Sequence, residues 1–299
     1  MNLELATVSS RQYSETVKQF YVIDSCDTLE YLQYQFCDRF GEPHRTAAYH
    51  WSVNGTKLVV LVHGYLDNAA YLKPLQRWFL AKGFDLLCIE LPGHGESSGA
   101  RGDIAHFNVY QDVYQAIFPR IFELSYDEFV FYGHSTGNVG IIELLLDHHP
   151  HRFSQIIMAT PLIRSWQWSL STFAWRIAGR MVKKIPRRSL QGCDPEYQCL
   201  RKLDGNLNRF APTHWFSCLQ QWNKMLEVDS RTALQPIDVI FAGKDTVIDT
   251  AFNKNFIEAR FKNAQIVTVE GSDHILHYEK LPVRNHFFGV LQSLLFSVQ

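Results

Sequence analysis

The sequence lacks a long uncharged apolar run, and it lacks a surplus of charge of either sign. Nowhere do about 18 apolar residues follow one another without a charge, so no membrane-spanning helix is expected. The 29 Lys and Arg residues nearly balance the 30 Asp and Glu residues, which leaves a formal net charge of −1. This balance argues against a nucleic-acid partner, because phosphate backbones are bound through an excess of basic residues.

Two further patterns are missing. The first 20 residues contain no basic segment followed by an apolar block, which argues against a secretory signal and favours a cytoplasmic location. The six cysteines include no C-x-x-C pair, so neither a zinc site nor a redox dithiol is expected, and no metal ion or cofactor is predicted. We interpret the cysteines as free thiols, with a disulfide between Cys193 and Cys199 as the alternative.

What is present is a globular composition, with 46% apolar and 20% charged residues, and six short runs rich in Val, Ile, Leu and Phe. Such runs are typical of strands buried on both faces of a parallel sheet. The predicted strands are 57–63, 84–91, 128–133, 153–161, 237–243 and 264–271, and helical patterns lie at about 69–82, 107–124, 136–148, 249–260 and 282–297. This alternation predicts a doubly wound α/β sheet.

Two regions depart from the alternation. Residues 28–35 and 46–53 are predicted to be strands that add an antiparallel edge to the sheet. From 162 to 234 no strand–helix alternation is visible, and aromatic residues lie on helix-like segments. We therefore expect one α/β domain formed by 1–161 and 233–299, the candidate for any catalytic domain, with a helical cap insertion, 162–232, over the carboxyl end of the sheet.

The strongest motif is Gly133-His134-Ser135-Thr136-Gly137, which follows one predicted strand and opens a predicted helix. This is the context of a nucleophile elbow. A strand that turns abruptly into a helix strains the serine backbone, and glycines two residues to either side let the two backbone segments pass. The motif therefore predicts Ser135 as a nucleophile at a helix amino terminus, where a nearby anion is favoured.

A serine hydroxyl is a poor nucleophile at neutral pH, so an orienting carboxylate and a base are expected downstream, in that order. Asp245 lies in the loop just past the predicted strand 237–243. His274 follows the turn after the last strand and is preferred to His277, because a loop position past the strand end can reach both Ser135 and Asp245. The predicted triad is therefore Ser135, Asp245 and His274.

A hydrolytic serine also needs donors for the developing oxyanion. The first candidate is the backbone N–H of Thr136, directly after the nucleophile. The second is the backbone N–H of Tyr65, in the loop after the strand 57–63, with Gly64 giving the backbone freedom to point it inward. His63 is interpreted as a structural hydrogen-bonding residue of that turn.

Five motifs occur in order along the chain: His63-Gly64, Leu91-Pro92-Gly93-His94-Gly95-Glu96-Ser97-Ser98-Gly99, the Gly133–Gly137 elbow, Gly243-x-Asp245 and His274-x₄-Glu279. Together they resemble the lysophospholipase and monoacylglycerol-lipase branch of the α/β-hydrolases, the group also labelled serine-aminopeptidase-like. The resemblance covers residue 55 to the end, apart from the insertion. It implies an α/β-hydrolase fold with a mostly parallel central sheet and helices on both faces. It also implies Ser135, Asp245 and His274 as nucleophile, acid and base.

Three positions depart from the pattern of that family. Thr136 and Asn138 stand where the elbow commonly has Met and a second Gly, and Glu90 stands where a strand usually ends in Asp. These departures leave the catalytic machinery in place and leave the shape of the acyl pocket, and therefore the substrate, open.

The composition of the insertion 162–232 is the main indication of what kind of substrate the protein binds. Residues 161–193 contain seven Arg and Lys residues and no Asp or Glu. A helical stripe runs through Trp166, Leu170, Phe173, Ile177 and Met181. An apolar face with a basic flank suits contact with an anionic membrane through 164–188, or an acyl chain beneath a lid. The alternative is a stripe packed on the catalytic domain with solvated charges. The predicted substrate-pocket residues are His134, Trp166, Phe173 and Trp175.

These observations predict a cofactor-independent serine hydrolase that cleaves carboxylic esters, with a small-molecule ester or lipid of monoacylglycerol or lysophospholipid type as substrate. One alternative is a small-peptide or amide hydrolase, or an acyltransferase, of the same fold. Another is a non-catalytic ligand-binding protein on a hydrolase scaffold. The oligomeric state stays open.

Overall fold

The computed structural model describes residues 20–21, 23, 29–179, 181–187 and 194–296. Cys26, Arg180, Arg188 and Cys193, which entered the sequence interpretation, lie outside the described residues. The described chain forms ten strands: β1 (Leu29–Cys37), β2 (Pro43–Trp51), β3 (Lys57–Val62), β4 (Asp85–Ile89), β5 (Glu128–His134), β6 (Phe153–Ala159), β7 (Lys184–Pro186), β8 (Phe210–Pro212), β9 (Ile237–Ala242) and β10 (Ala264–Val269).

Eight of these strands form one sheet, in the order β1-β2-β4-β3-β5-β6-β9-β10. All neighbouring pairs from β4 to β10 are parallel, whereas β2 runs antiparallel to both β1 and β4. The predicted antiparallel edge and mostly parallel sheet are therefore confirmed. Because the parallel strands share one direction, their carboxyl ends meet at one edge, and the loops that follow them lie close together.

The apolar runs form strands because both faces of the sheet are covered. Along β3, Leu58, Val60 and Val62 enter one core, whereas Val59 and Leu61 enter the other. Each of these five side chains is fully buried. Successive side chains of a strand point to opposite faces, so a strand covered on both sides needs apolar residues at every position.

The described chain also has three 3₁₀ turns, Ala69–Leu72, Ser135–Asn138 and Leu276–Tyr278. The α-helices with described bounds are α1 (Lys73–Ala81), α2 (Asn108–Ile121), α3 (Val139–Leu146), α4 (Trp168–Ala178), α5 (Pro195–Leu203), α6 (Thr213–Val228), α7 (Thr250–Arg260) and α8 (Leu281–Phe296). Buried residues of α2, α3, α6 and α7 belong to the first core, and those of α1 and α8 to the second. Helices therefore cover both faces, as the fold class predicts. None of the described helices has the length and apolar character needed to cross a bilayer.

The 162–232 segment contains α4, α5 and α6, and also the two strands β7 and β8, which form an antiparallel pair. The sequence analysis predicts only helices there. Each strand has three residues and ends at a proline, Pro186 or Pro212. A strand this short shows no detectable alternation of apolar and polar residues, so its pairing is visible only in three dimensions.

The described cysteines are free thiols. Cys37 and Cys199 are exposed, and Cys88 and Cys218 are buried.

Candidate active site

The sequence Gly133–Gly137 forms a sharp turn between β5 and a short 3₁₀ turn, Ser135–Asn138, that leads into α3. Ser135 has a φ of +51°, a left-handed backbone conformation that residues other than glycine rarely adopt. A Cβ atom at Gly137 would lie 2.7 Å from the carbonyl oxygen of Val62, and one at Gly133 would lie 2.3 Å from the side chain of Asn138. Both glycines are therefore required by close packing around the strained serine.

Asn138 explains how this turn tolerates its departure from the family pattern. Its side-chain Nδ2 lies 3.1 Å from the carbonyl oxygen of Gly133, 3.2 Å from that of Ser135 and 3.1 Å from that of Ala159. The amide group therefore joins the end of β5, the serine and the end of β6. Sequence reasoning missed this role, because no local signal indicates that three separate carbonyl groups converge on one side chain.

Asp245 and His274, predicted from separate loops, form a buried pair. Nδ1 of His274 donates to Oδ2 of Asp245 at 2.8 Å, and the Asp245 side chain is fully buried. The other oxygen, Oδ1, accepts from the N–H groups of Val247 (2.8 Å) and Ile248 (3.0 Å). Burial raises the pKa of Asp245, but the imidazole of His274 and the two amides outweigh it and hold that pKa below its usual value. The ionised carboxylate thereby places the imidazole proton on Nδ1.

Ser135 and His274 line the same cavity of about 220 Å³, together with Tyr65 and His134. Within the described residues, no hydrogen bond joins the Ser135 hydroxyl to the imidazole. In enzymes without substrate such bonds are often long and tighten when the substrate is bound. The structure therefore brings the predicted nucleophile and base to one cavity wall.

The loop after β3 carries the predicted amide of Tyr65. The Tyr65 side chain is fixed by stacking on Trp215, with ring centroids 3.7 Å apart, and by donation of its hydroxyl to the carbonyl of Gly102 (2.7 Å). Within the described residues, the main-chain N–H groups of Tyr65 and Thr136 donate to no other protein group. Both amides therefore remain able to bind an oxyanion.

Gly64 serves this loop differently from the expectation. Its φ is not positive, so backbone freedom is not the reason for glycine. A Cβ atom there would lie 2.9 Å from Nδ1 of His134 and 3.2 Å from Cβ of Ser135. Close approach to the elbow therefore excludes a larger residue.

His63 and His134 are engaged within the fold, as the sequence analysis predicts for His63. His63 contacts the carbonyl of Gly64 through Nδ1 (2.8 Å) and accepts the N–H of Leu91 through Nε2 (3.1 Å). Burial lowers the pKa of His63 to about 4. His134 lies under His274, with ring centroids 5.0 Å apart, and burial lowers its pKa to about 4 as well. Both rings are therefore neutral at physiological pH.

Glu90, the third departure from the family pattern, anchors the loop that follows β4. Its carboxyl group accepts from the Tyr21 hydroxyl (2.9 Å) and from the N–H of Glu96 (2.5 Å). It fills the space beside Gly95, where a Cβ atom would lie 2.1 Å from the carboxyl group. Burial raises the pKa of Glu90 to about 8. Glu is one methylene longer than the Asp of the family pattern. Gly95, which has a positive φ of +48°, leaves room for this longer side chain.

A second cavity, of about 450 Å³, lies against the first and shares the wall residues Tyr65, Thr246 and Val247 with it. Its wall is mostly apolar and includes Trp166, Trp175, Val182, Ile185, Trp215 and Phe216. Two of the four predicted pocket residues, Trp166 and Trp175, line this cavity, and His134 lines the first. Phe173 lines neither, since its side chain is 60% exposed on the outer face of α4. Leu170, Ile177 and Met181 of the same stripe are exposed as well, so the apolar spacing marks an outer face of this segment and not the cavity wall.

Among the described residues, no group of three or more His, Cys, Asp or Glu side chains is placed so that it could hold a metal ion.

This sheet, with a strained serine after β5 and an Asp–His pair on the loops after β9 and β10, defines an α/β-hydrolase. The family model described as "Serine aminopeptidase, S33" matches residues 54–281, and the chain belongs to that family. The predicted relationship to the branch of the α/β-hydrolases that is also labelled serine-aminopeptidase-like is thereby confirmed.

Solved structures similar to this chain include a monoglyceride lipase of Saccharomyces cerevisiae, crystallised with a substrate analogue. It has a TM-score of 0.67 and 16% identity, over 85% of this chain and 92% of the lipase. The monoacylglycerol lipase of Paleococcus ferrophilus has a TM-score of 0.65 and 16% identity, over 83% and 97% of the two chains. At this identity the likeness establishes the fold.

Among curated proteins, the chain is similar to phospholipase YtpA of Bacillus subtilis (strain 168), with 27% identity over 106 residues. The matched stretch covers 36% of this chain and spans 40% of the length of that relative.

Proposed function

We propose that the protein cleaves carboxylic esters with an apolar acyl group, of monoacylglycerol or lysophospholipid type, through a Ser135–His274–Asp245 triad. The observation that carries this proposal is the junction of the two cavities. The cavity that contains Ser135 and His274 shares a wall with the apolar cavity of about 450 Å³. An ester carbonyl placed at Ser135 would have its acyl chain directed into apolar surroundings.

The hydrogen bond between His274 and Asp245 supports the proposed mechanism. In the neutral imidazole whose Nδ1 donates to Asp245, Nε2 carries no proton. It accepts the proton of the Ser135 hydroxyl as the serine oxygen attacks the carbonyl carbon. The amides of Tyr65 and Thr136 stabilise the oxyanion of the tetrahedral intermediate. The imidazolium then protonates the leaving alcohol. Water, activated by the same imidazole, releases the acid from the acyl-enzyme.

The position of residues from the 162–232 segment in both cavity walls supports a role of this segment as a cap. Its residues Arg187 and Tyr197 line the cavity with Ser135, and it supplies most of the apolar cavity wall. We propose that the segment encloses the acyl chain.

The test is p-nitrophenyl ester hydrolysis over acyl chains of two to sixteen carbons, beside monoacylglycerol, lysophospholipid and aminoacyl-amide substrates. We expect a preference for medium or long acyl esters over acetate. Ser135→Ala should lower kcat very roughly 10⁶-fold, by analogy with other serine hydrolases, and should leave the protein folded. Normal ester turnover by Ser135→Ala, or faster cleavage of the amides, would contradict the proposal.

We further propose that α4 contacts an anionic membrane surface. The stripe does not pack on the catalytic domain, because Leu170 is 59%, Ile177 67% and Met181 85% exposed. Sedimentation with anionic vesicles should pull down the wild type, and Ile177→Ser should weaken this binding. Val228→Ser, which alters an even more exposed apolar residue outside α4, serves as the control. Equal binding by both variants would contradict the proposal.

A further inference from the structure

Leu66, the residue after Tyr65, has a backbone conformation that leucine rarely adopts, with a φ of +65°. In this left-handed region Cβ crowds the following carbonyl oxygen, so a residue other than glycine stays there only where its surroundings hold it. Its N–H donates to Nε2 of His94 at 2.9 Å, which fixes the amide side of the residue. The carbonyl side is fixed by a different part of the chain.

That second restraint is Arg187, directly after β7 in the 162–232 segment. Its Nη1 donates to the carbonyl oxygen of Leu66 at 2.5 Å. Its Nη2 donates to the carboxylate of Asp67 and, at 2.7 Å, to the hydroxyl of Tyr197. The side chain is only 8% exposed. A planar guanidinium presents its donors in fixed directions, so it can hold a carbonyl group and a carboxylate together.

A second residue of the same segment holds the same loop. Oδ2 of Asp204, just past α5, accepts from Nδ2 of Asn68 (3.1 Å) and from the hydroxyl of Tyr71 (3.0 Å). The 64–72 loop, which carries the Tyr65 amide, is therefore fastened to the 162–232 segment at two places.

The contacts of Arg187 also indicate how it acts. Although it lines the cavity that contains Ser135, its charge is compensated by Asp67 and both of its terminal nitrogens already donate to protein oxygens. Burial lowers the pKa of Arg187, but the charge of Asp67 outweighs it and raises that pKa, so the guanidinium stays charged at any working pH. A group engaged in this way can position a loop without binding the substrate.

We propose that Arg187 is a positioning residue, which fixes the Leu66–Asp67 peptide and thereby aims the Tyr65 N–H at the oxyanion. The oxyanion hole is then complete only while the 162–232 segment keeps its hydrogen bonds to the 64–72 loop. Contact between this segment and the loop therefore controls the rate of acyl transfer. This inference rests on the proposed function, because the Tyr65 amide matters only if Ser135 forms a tetrahedral intermediate.

The test compares Arg187→Ala and Arg187→Lys with the wild type, using p-nitrophenyl acetate, which does not need the acyl cavity. Active sites are counted from the end point of fluorophosphonate labelling. We expect kcat per labelled site to fall about 10- to 100-fold, because loss of one oxyanion donor costs about 10²–10³ and a displaced donor costs part of that. KM should stay within about twofold.

A transition-state analogue separates positioning from a general loss of structure. A trifluoromethyl ketone forms an adduct that carries the oxyanion, so its Ki should rise by the same factor as kcat/KM falls. Arg187→Lys keeps a positive charge for Asp67. A single ammonium group lacks the planar fork of donors, however, so it cannot hold the Leu66 carbonyl oxygen at the same time. This variant tests the proposal even if Arg187→Ala does not fold. Lys184→Ala, which changes an exposed cation on β7, should keep the wild-type kcat and Ki.

Several outcomes would overturn the proposal. One is a kcat per labelled site within twofold of the wild type in Arg187→Lys. Another is a loss confined to KM, which would make Arg187 a substrate-binding residue. A third is a loss confined to the number of labelled sites, which would indicate a structural role alone. If the wild type itself is neither labelled nor active, the proposed hydrolase function fails, and the inference about Arg187 fails with it.

Discussion

Replacing Asp245 by asparagine tests the proposed mechanism most directly. Oδ1 of Asp245 accepts two main-chain N–H groups, so the asparagine oxygen must occupy that position and its NH₂ group must face Nδ1 of His274. Since an NH₂ group only donates, the imidazole would have to accept at Nδ1 and carry its proton on Nε2. The base would then hold a proton where it must accept the one from Ser135.

We expect Asp245→Asn to lower kcat about 10⁴-fold, by analogy with the same change in other Ser-His-Asp enzymes. This factor corresponds to about 5 kcal/mol in the activation barrier. The assay is ester hydrolysis at pH 7, with the folded state monitored by circular dichroism. Asp249→Asn is the matched control, because Asp249 caps α7 through the N–H of Phe252 (3.1 Å) and asparagine caps a helix equally well. A folded Asp245→Asn protein that retains more than a tenth of the wild-type kcat would refute the role of Asp245.

Two further predictions concern packing and pH. Gly64→Ala should lower kcat at least tenfold, because its Cβ would press on the elbow that carries Ser135. Gly205→Ala is the control and should leave the ester-hydrolysis rate unchanged, because there is open space around Gly205. Equal rates of ester hydrolysis in the two variants would contradict this prediction. Burial raises the pKa of Asp85, but two hydroxyl groups and two main-chain amides that donate to it outweigh burial and lower that pKa below its usual value. A carboxyl group of this kind stabilises the folded state above its unfolded-state pKa of about 3.9 and loses this contribution as the pH falls through the lower folded value. Urea unfolding should therefore show a stability difference between wild type and Asp85→Asn that is full at pH 7 and shrinks below pH 4; a difference that grows on acidification would show that the sign is wrong.

The central sheet and the elbow could be predicted because their signals are local. A strand buried on both faces requires consecutive apolar residues, and β3, β4 and β5 have them. The strained serine requires small neighbours at two fixed positions, and Gly133 and Gly137 supply them. Each of these requirements is met within a few residues of the chain, so the pattern is readable without knowing what packs against it.

The sequence alone thus determined the parallel sheet, its antiparallel edge, the hydrolase family, and the loops that carry Ser135, Asp245 and His274. Only the tertiary structure decided that Asn138 joins three carbonyl groups, that Phe173 faces outward, and that Arg187 reaches Leu66 across 121 positions of the chain. The physical reason is that local periodicity reports how a segment buries its own apolar side chains. The partner of a polar side chain, in contrast, depends on which distant backbone groups the completed fold leaves within about 3 Å.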